Sequence, residues 1–339
     1  MNGIVCLIIL ISELNLSGYV ESRQYFGCAD SVNFFGYSRG WIDLKHSAES
    51  FGAQITFDCQ VWYDSILTAF GKDNINIARL LMWIGRENRR ITVGKQRIYW
   101  GVGRVFRPLD IINPINYFEP KFEYAGVNTV LGYYALSNLS NIKLMVRPQS
   151  KINQSLLGIR VGSNLNKNDV GLNSFYRVNP KMVIVGGEIT GEFKIGYWSE
   201  VSYSFINNDR YFKSCTGLDY SFPFNIYAMV EYFYDGSGES NPVYYDYNAF
   251  RLGQRWTLAK HYLYSSVSYG YNLYFRPSLN AIINLNDNGF IVMPQILFSV
   301  NDNTEFNLGC NFFIGEPTTE FKNLIPYHKQ IYLWLKVYF

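Results

Sequence analysis

The chain has 339 residues, of which 18% are aromatic (28 Tyr, 25 Phe, 7 Trp) and 17% charged, and it carries a net charge of +3. Globular chains average about 25% charged residues, and Tyr and Trp belong where one end of a side chain is apolar and the other wet. With a mean hydropathy of −0.07 and no apolar run of the ~20 residues that a spanning helix needs, the composition excludes a polytopic helical membrane protein. The small net charge gives no ground for nucleic-acid binding.

Met1 to Ile11 holds the continuous run Ile4-Val5-Cys6-Leu7-Ile8-Ile9-Leu10-Ile11, the length of the apolar region of a secretory signal. Residues 1–18 are therefore expected to be an export signal, with Ser17 and Gly18 the nearest cleavage candidates. No Lys or Arg precedes the run, and a buried first strand is the alternative. From Glu13 the chain alternates at period two, the spacing that places side chains on opposite faces of a strand. Leu14, Leu16, Gly18 and Val20 alternate with Asn15, Ser17, Tyr19 and Glu21, and a second strand covers about Val32 to Lys45. In the third, Phe51, Ala53, Ile55, Phe57, Cys59, Val61 and Tyr63 share one face. Gly52, Gln54, Thr56, Asp58, Gln60, Trp62 and Asp64 share the other, where a soluble sandwich would need aliphatics.

Further strands are expected at about Ile75–Arg86, Arg90–Ile98, Tyr124–Leu136, Ile142–Arg147, Leu156–Asn164, Val170–Arg177, Met182–Thr190 and Phe193–Phe205. Then come Phe212–Phe222, Asn225–Asp235, Tyr262–Asn272, Tyr274–Leu285, Phe290–Val300, Glu305–Ile314 and His328–Phe339. Asn207-Asn208-Asp209, Asp287-Asn288-Gly289 and Asn301-Asp302-Asn303 carry tight-turn chemistry. The longest links, Tyr99–Glu123, Gly236–Lys260 and Gly315–Tyr327, all follow odd-numbered strands and so fall at one end. An open sheet this large leaves two edges and a wide apolar face in water. The expectation is an all-β chain, a single closed antiparallel transmembrane β-barrel of about 16–18 strands over residues 19–339, with long extracellular loops and short periplasmic turns. A barrel of that size is too wide for side chains to fill, which predicts a water-filled lumen.

The last strand ends the chain with Ile331, Leu333, Leu335, Val337 and Phe339 on one face, and Tyr332, Trp334, Lys336 and Tyr338 on the other. A terminal Phe preceded by alternating apolar residues resembles the C-terminal signal of bacterial outer-membrane β-barrel proteins, which implies the barrel-assembly machinery as a partner and an outer membrane of Gram-negative type as the location.

Between two strands lies Gly94-Lys95-Gln96-Arg97-Ile98-Tyr99-Trp100-Gly101-Val102-Gly103-Arg104-Val105-Phe106-Arg107-Pro108-Leu109-Asp110-Ile111-Ile112-Asn113-Pro114. Its Gly-x-Gln, Trp-Gly-x-Gly and Pro-Leu-Asp-x-x-Asn-Pro elements resemble those of a group of porin-like outer-membrane barrels related to alginate-export proteins. The resemblance is specific over about twenty-five residues, from which it implies an outer-membrane barrel without a settled substrate. By order this is the third long-end link, the one that in general porins folds inward, so Lys95, Gln96, Arg97, Trp100, Arg104, Arg107 and Asp110 are the candidate constriction residues. From Arg86 to Arg107 seven basic residues stand against Glu87 alone, a local excess of 7 − 1 = +6. Cations lining a narrow passage concentrate anions. Arg86, Arg89 and Arg90 are expected at a periplasmic turn, Arg104 and Arg107 in the channel, and Asp110 either in the channel or paired to hold the loop on the wall. Rim cations would meet lipopolysaccharide phosphates.

The expected function is an outer-membrane, porin-like channel for passive diffusion or export of small polar or anionic solutes. The alternatives are a non-conducting structural or adhesive barrel, or a lipase-type enzyme. His261 with Ser265 or Ser266 is the one local nucleophile-base cluster, and Asp235, Glu239 and Asp246 the one acidic loop that could take Ca²⁺. No metal-ligand, P-loop or GxSxG spacing occurs, so no cofactor and no metal are expected. The five Cys have no pairing legible in their spacing, and the oligomeric state, monomer or homo-oligomer, is left open.

Overall fold

The computed structural model describes residues 14–28, 32–63, 74–113, 125–253, 255–270, 274–325 and 327–339. The apolar run of the expected export signal and Pro114 lie outside them. Strands β1 to β9 span Leu14–Cys28, Val32–Ser47, Phe51–Trp62, Asn74–Arg86, Arg89–Gln96, Val127–Ser137, Ser140–Arg147, Leu156–Leu165 and Asn168–Arg177. Strands β10 to β18 span Met182–Phe193, Ile195–Ile206, Asp209–Phe222, Ile226–Asp235, His261–Tyr269, Phe275–Asn284, Phe290–Asn301, Thr304–Ile314 and Lys329–Tyr338. Each strand pairs antiparallel with its sequence neighbours, and β1 closes on β18 from Tyr19↔Tyr338 to Cys28↔Lys329. Closure leaves no sheet edge, which is how a spanning sheet satisfies its backbone. The count is eighteen, the upper end of the sequence expectation. β1 begins at Leu14, inside the stretch expected as the export signal.

Links from even to odd strands run from one to five residues, while the three longest, 97–126, 236–260 and 315–328, all lie at the opposite end. The Asn-rich turns adopt the left-handed backbone their composition favours: Asn207 has φ 54° and Asn288 φ 58°. In the turn after β16, the Asn301 side chain accepts from the Asn303 N–H at 2.9 Å.

The period-two pattern sorts the two faces as the sequence requires. On β18, Ile331, Leu335, Val337 and Phe339 are exposed on the outer wall, whereas Tyr332 is buried and Trp334, Lys336 and Tyr338 half-buried on the inner one. On β3, Thr56 and Asp58 are buried inside and Phe51 and Val61 exposed outside. One irregularity matters near the long-loop end. The β3–β4 register shifts between Thr56 and Phe57, leaving Ala78 as an extra residue. Such a bulge keeps both Ile77 and Leu80 on the outer wall while Arg79 turns inward.

Packing inside the barrel is lopsided. Two buried apolar clusters lie against β7 to β17: one joins Ile98, Trp100, Leu109 and Ile112 to Met145, Phe175, Met182 and Ile184. The other joins Val105 and Phe106 to Trp198, Phe233, Tyr262, Ile282 and Phe321. The wall from β18 through β5 instead carries charges stacked on rings: Arg23 over Trp334 (4.1 Å), Arg39 over Trp41 (4.7 Å) and Lys336 over Tyr19 (3.5 Å). Arg39 is bidentate to Asp58 at 2.7 and 2.9 Å, with Glu21 at 3.9 Å.

Candidate functional site

The link after β5 leaves the wall at Arg97 and folds into the barrel. A segment rich in Val, Phe, Leu and Ile cannot stay extended in water, and here those side chains are buried: Val105 is 4% exposed, Phe106 4%, Leu109 0% and Ile112 5%. Trp100 lies against Phe175, with ring centroids 4.9 Å apart, and Phe106 stacks on Phe233 at 4.7 Å. Burying the backbone of such a loop demands acceptors for its N–H groups. Two fully buried carboxylates supply them. Glu200 on β11 accepts from Val102 (2.8 Å), Gly103 (3.0 Å) and Leu109 (2.5 Å). Glu231 on β13 accepts from Arg104 (2.7 Å), Val105 (3.0 Å), Phe106 (2.7 Å) and the Trp198 indole (2.6 Å). Hydrogen bonds to a charged acceptor contribute roughly 1.5–3 kcal/mol each, so these two side chains hold the loop more firmly than its apolar contacts alone would.

The glycines of the Trp-Gly-x-Gly element are there for this docking. Gly101 has φ +111°, a conformation side chains avoid, and a Cβ on it would stand 2.6 Å from Glu200 Oε2. One on Gly103 would meet the Phe106 carbonyl oxygen at 1.8 Å.

Not all the expected constriction residues come together. Gln96 is buried, its amide donating to the Thr92 and Thr129 carbonyls at 3.3 Å. Arg97 packs 4.3 Å over the Tyr99 ring and Arg107 5.8 Å over the same ring, while Arg107 Nε donates to the Gly103 carbonyl at 2.6 Å. Tyr99 itself is half exposed. Arg104 departs from the group: its side chain stands 5.1 Å over Trp198 and 3.9 Å from Asp219 on β12, so Arg104 and Arg107 point to different parts of the lumen. Lys95 is a correction. It pairs with Leu80, which is exposed on the outer wall, and donates to the Ile77 carbonyl at 2.7 Å, so it is on the lipid side rather than in the lumen. Lys95 lies inside β5, and the strand's period of two turns its side chain outward while Gln96 next to it turns inward.

Arg90 is beside the short turn, as expected, and in addition faces the lumen. It follows Glu87-Asn88, and its side chain stands beside Trp83 (6.0 Å) on the inner face. There it lines a recess of about 290 Å³ together with Lys45, Arg79, Arg97, Trp83 and Tyr99. Four cations and no carboxylate line that recess, although Asp43 lies behind it, accepting from Gln54 (2.8 Å) and Thr56 (2.6 Å). A low-dielectric concavity of one sign focuses its field on a passing ion.

Asp110 is 3% exposed and accepts from the Asn113 N–H at 3.3 Å; its Oδ2 has no hydrogen-bond partner among the described residues. Burial pushes its carboxyl up to about 7, opposed by Arg107, the Asn113 N–H and Arg97. Asp110, Arg107 and Pro108 border a second cavity, of about 230 Å³, with Lys213, Trp256 and Thr257.

The other long links pack behind this loop. Asp235, in the acidic loop considered for Ca²⁺, is buried and occupied by Lys213 (3.0 Å), Ser237 (2.6 Å) and Thr257 (2.6 Å). No metal-ligating group of three occurs among the described residues. Tyr262 accepts from Leu258 and Ala259 and donates to Glu320 at 2.7 Å, which ties the 236–260 link to the five-residue helix Glu320–Leu324. His261 bonds Tyr232 OH at 2.6 Å on the outer wall. Ser265 is about 13 Å further along the strand, and Ser266 is on the opposite face, donating to Asn280 at 2.7 Å.

No sequence-family description and no curated protein matches this chain. Solved structures do. The outer membrane protein OprD from Pseudomonas aeruginosa aligns with TM-score 0.67 at 6% identity, over 96% of this chain and 94% of that one. The fold is that of the OprD-type barrel. A BenF-like porin from Pseudomonas fluorescens Pf-5 aligns at 0.64 and 7%, over 97% and 99%. Pseudomonas aeruginosa OccK2 (OpdF), solved in complex with glucuronate, aligns at 0.62 and 5%, over 96% and 98%.

The residues that sequence reasoning missed are Glu200 and Glu231. Parity puts both on the inner face, but a single acid among Trp, Ser and Tyr reads as ordinary lumen lining. Nothing in the sequence links them to amides some hundred residues away.

Proposed function

We propose that the protein is an outer-membrane channel through which small polar or anionic solutes diffuse passively. The observation that carries this reading is the asymmetry of the lumen. An inward loop, pinned by Glu200 and Glu231, fills the β7–β16 side, while Lys45, Arg79, Arg90 and Arg97 line the facing recess. Sugar acids and other small carboxylates suit that wall. A guanidinium takes a carboxylate in bidentate fashion, and Trp83 and Tyr99 offer apolar faces beside it.

The Trp-Gly-x-Gly and Pro-Leu-Asp-x-x-Asn-Pro elements support a kinship with barrels related to alginate export, since both place residues that dock the loop: Gly101 and Gly103 on Glu200, Leu109 and Asp110 in the interior. The reading brings its partners with it. An export signal built on the apolar run of residues 4–11 and ending ahead of Leu14 directs the chain, the face Ile331, Leu333, Leu335, Val337 and Phe339 is read by the barrel-assembly machinery, and rim cations meet lipopolysaccharide. The chain binds no nucleic acid, performs no catalysis and needs no cofactor.

Reconstitution in a planar bilayer under a KCl gradient tests this. Discrete conductance steps with a reversal potential of anion-preferring sign are expected, and Arg79→Glu with Arg97→Glu should lower or invert the preference. A barrel that gives no steps is a sealed structural one, and a cation preference would overturn the role given to the recess.

A further inference from the structure

The outer wall carries a trough of about 680 Å³ across β14 to β18. Its floor is made of short outward side chains: Pro277 on β15, Pro294 on β16 and Cys310 on β17. Pro has no N–H, and the β16–β17 ladder lapses at Met293 and Pro294. Longer apolar side chains form the sides, Val267 and Leu279 on one, Phe312 and Ile331 on the other. On the same strand pair the outward row continues downward through Pro277↔Ile296 and Phe275↔Phe298. It reaches a second recess of about 480 Å³ at the short-turn rim, bordered on the outer side by Tyr274, Phe298, Val300 and Asp302.

We propose that trough and recess together bind one glycerophospholipid with an ethanolamine headgroup, taken from the periplasmic leaflet. The inference rests on the outer-membrane reading. A second barrel has the same convex wall as this one and cannot fill a concave trough, whereas an acyl chain can. Dimensions choose the leaflet. From Pro294 to Asp302 is eight residues, about 26 Å along the strand. With a tilt of about 40° that is about 20 Å along the membrane normal, which is half the ~40–45 Å thickness of a bilayer with its headgroups. The chain therefore lies in the trough when the headgroup is level with Asp302. Charge chooses the headgroup: the lower recess is bordered by the Asp302 carboxylate, beside the Tyr274 ring and the outward Phe298 and Val300, and by no Lys or Arg. A carboxylate with no cation beside it attracts the ammonium of a zwitterionic headgroup and repels a lipid whose one charge is its phosphate.

Native mass spectrometry of the detergent-solubilised full chain, incubated with equimolar palmitoyl-oleoyl phosphatidylethanolamine and phosphatidylglycerol, tests the site. One retained lipid per barrel is expected, with the ethanolamine form several-fold ahead. Cys310→Trp should abolish retention by filling the floor, and Val267→Trp, from the opposite side, should do the same. Both face lipid, and heat-modifiable migration shows that each barrel has folded. Asp302→Asn should keep the lipid but remove the headgroup preference. The proposal is overturned by a wild-type barrel that retains no lipid, by equal retention in both filled variants, by preference for phosphatidylglycerol, or by a lipopolysaccharide or a second copy in place of the phospholipid. Conductance measurements report on the channel reading independently, because the trough is on the outside.

Discussion

Glu231→Gln should loosen the inward loop without disturbing the barrel. The wild-type carboxylate accepts four hydrogen bonds, three from consecutive loop amides and one from Trp198. The amide that replaces it keeps one oxygen and turns an NH₂ toward donors, so two of the four bonds are lost. At roughly 1.5–3 kcal/mol for each bond to a charged acceptor, that is ~3–6 kcal/mol, and at 1.36 kcal/mol per decade the population of the released loop rises about 10²- to 10⁴-fold. The barrel wall is untouched, because Glu231 sits in an unbroken β13 ladder. Single-channel recording in a planar bilayer reads the result: larger, noisier open steps than wild type, with unchanged heat-modifiable migration. Glu200→Gln should do the same from the other half of the loop, and the double variant should show an open level without flicker. Wild-type conductance and noise in both single variants would refute the reasoning, since the loop would then be held by its apolar contacts alone.

Acidification should tighten the loop. Asp110 has its carboxyl raised from 3.8 to about 7 by burial, so its contribution to the packed loop is fully present below about pH 4 and lost as pH rises through 7. Open-channel noise should therefore fall between pH 8 and pH 5, and Asp110→Asn should flatten that profile. Gly101→Ala places a methyl against the Glu200 carboxylate at a residue with φ +111°. It should raise open-channel noise as Glu200→Gln does, whereas Gly132→Ala, whose Cβ would make only an ordinary 3.9 Å contact on extended backbone, should not change the conductance. For assembly, Phe339→Ser should reduce membrane insertion, scored by heat-modifiable migration of membrane fractions, far more than Tyr338→Ser, since Phe339 is exposed on the outer wall and Tyr338 turns inward to Glu305 at 3.0 Å. Equal losses would mean that the terminal alternation is not read.

Periodicity determined the architecture. A period of two, kept from Leu14 to Phe339 and punctuated by Asn-rich turns, placed all eighteen strands, sorted their faces, and put the three longest links at one end, because alternation and turn chemistry are local properties of the chain. The segment Trp100–Asn113 was legible too, as an apolar stretch with Gly101 and Gly103 that had to pack on something. What it packs on was not. Glu200 and Glu231 meet its amides only because β11 and β13 stand across the lumen from the end of β5, a juxtaposition set by closing the ring. Lys95 and Arg90 depended on register to the single residue. One step along a strand exchanges lumen for lipid: the pairing Leu80↔Lys95 settled Lys95 against a reading taken from sequence order, whereas Gly85↔Arg90 keeps Arg90 at the short turn and gives it an inner face. The same limit hid the trough, whose floor of Pro277, Pro294 and Cys310 comes from three strands that meet only through their hydrogen-bonded register.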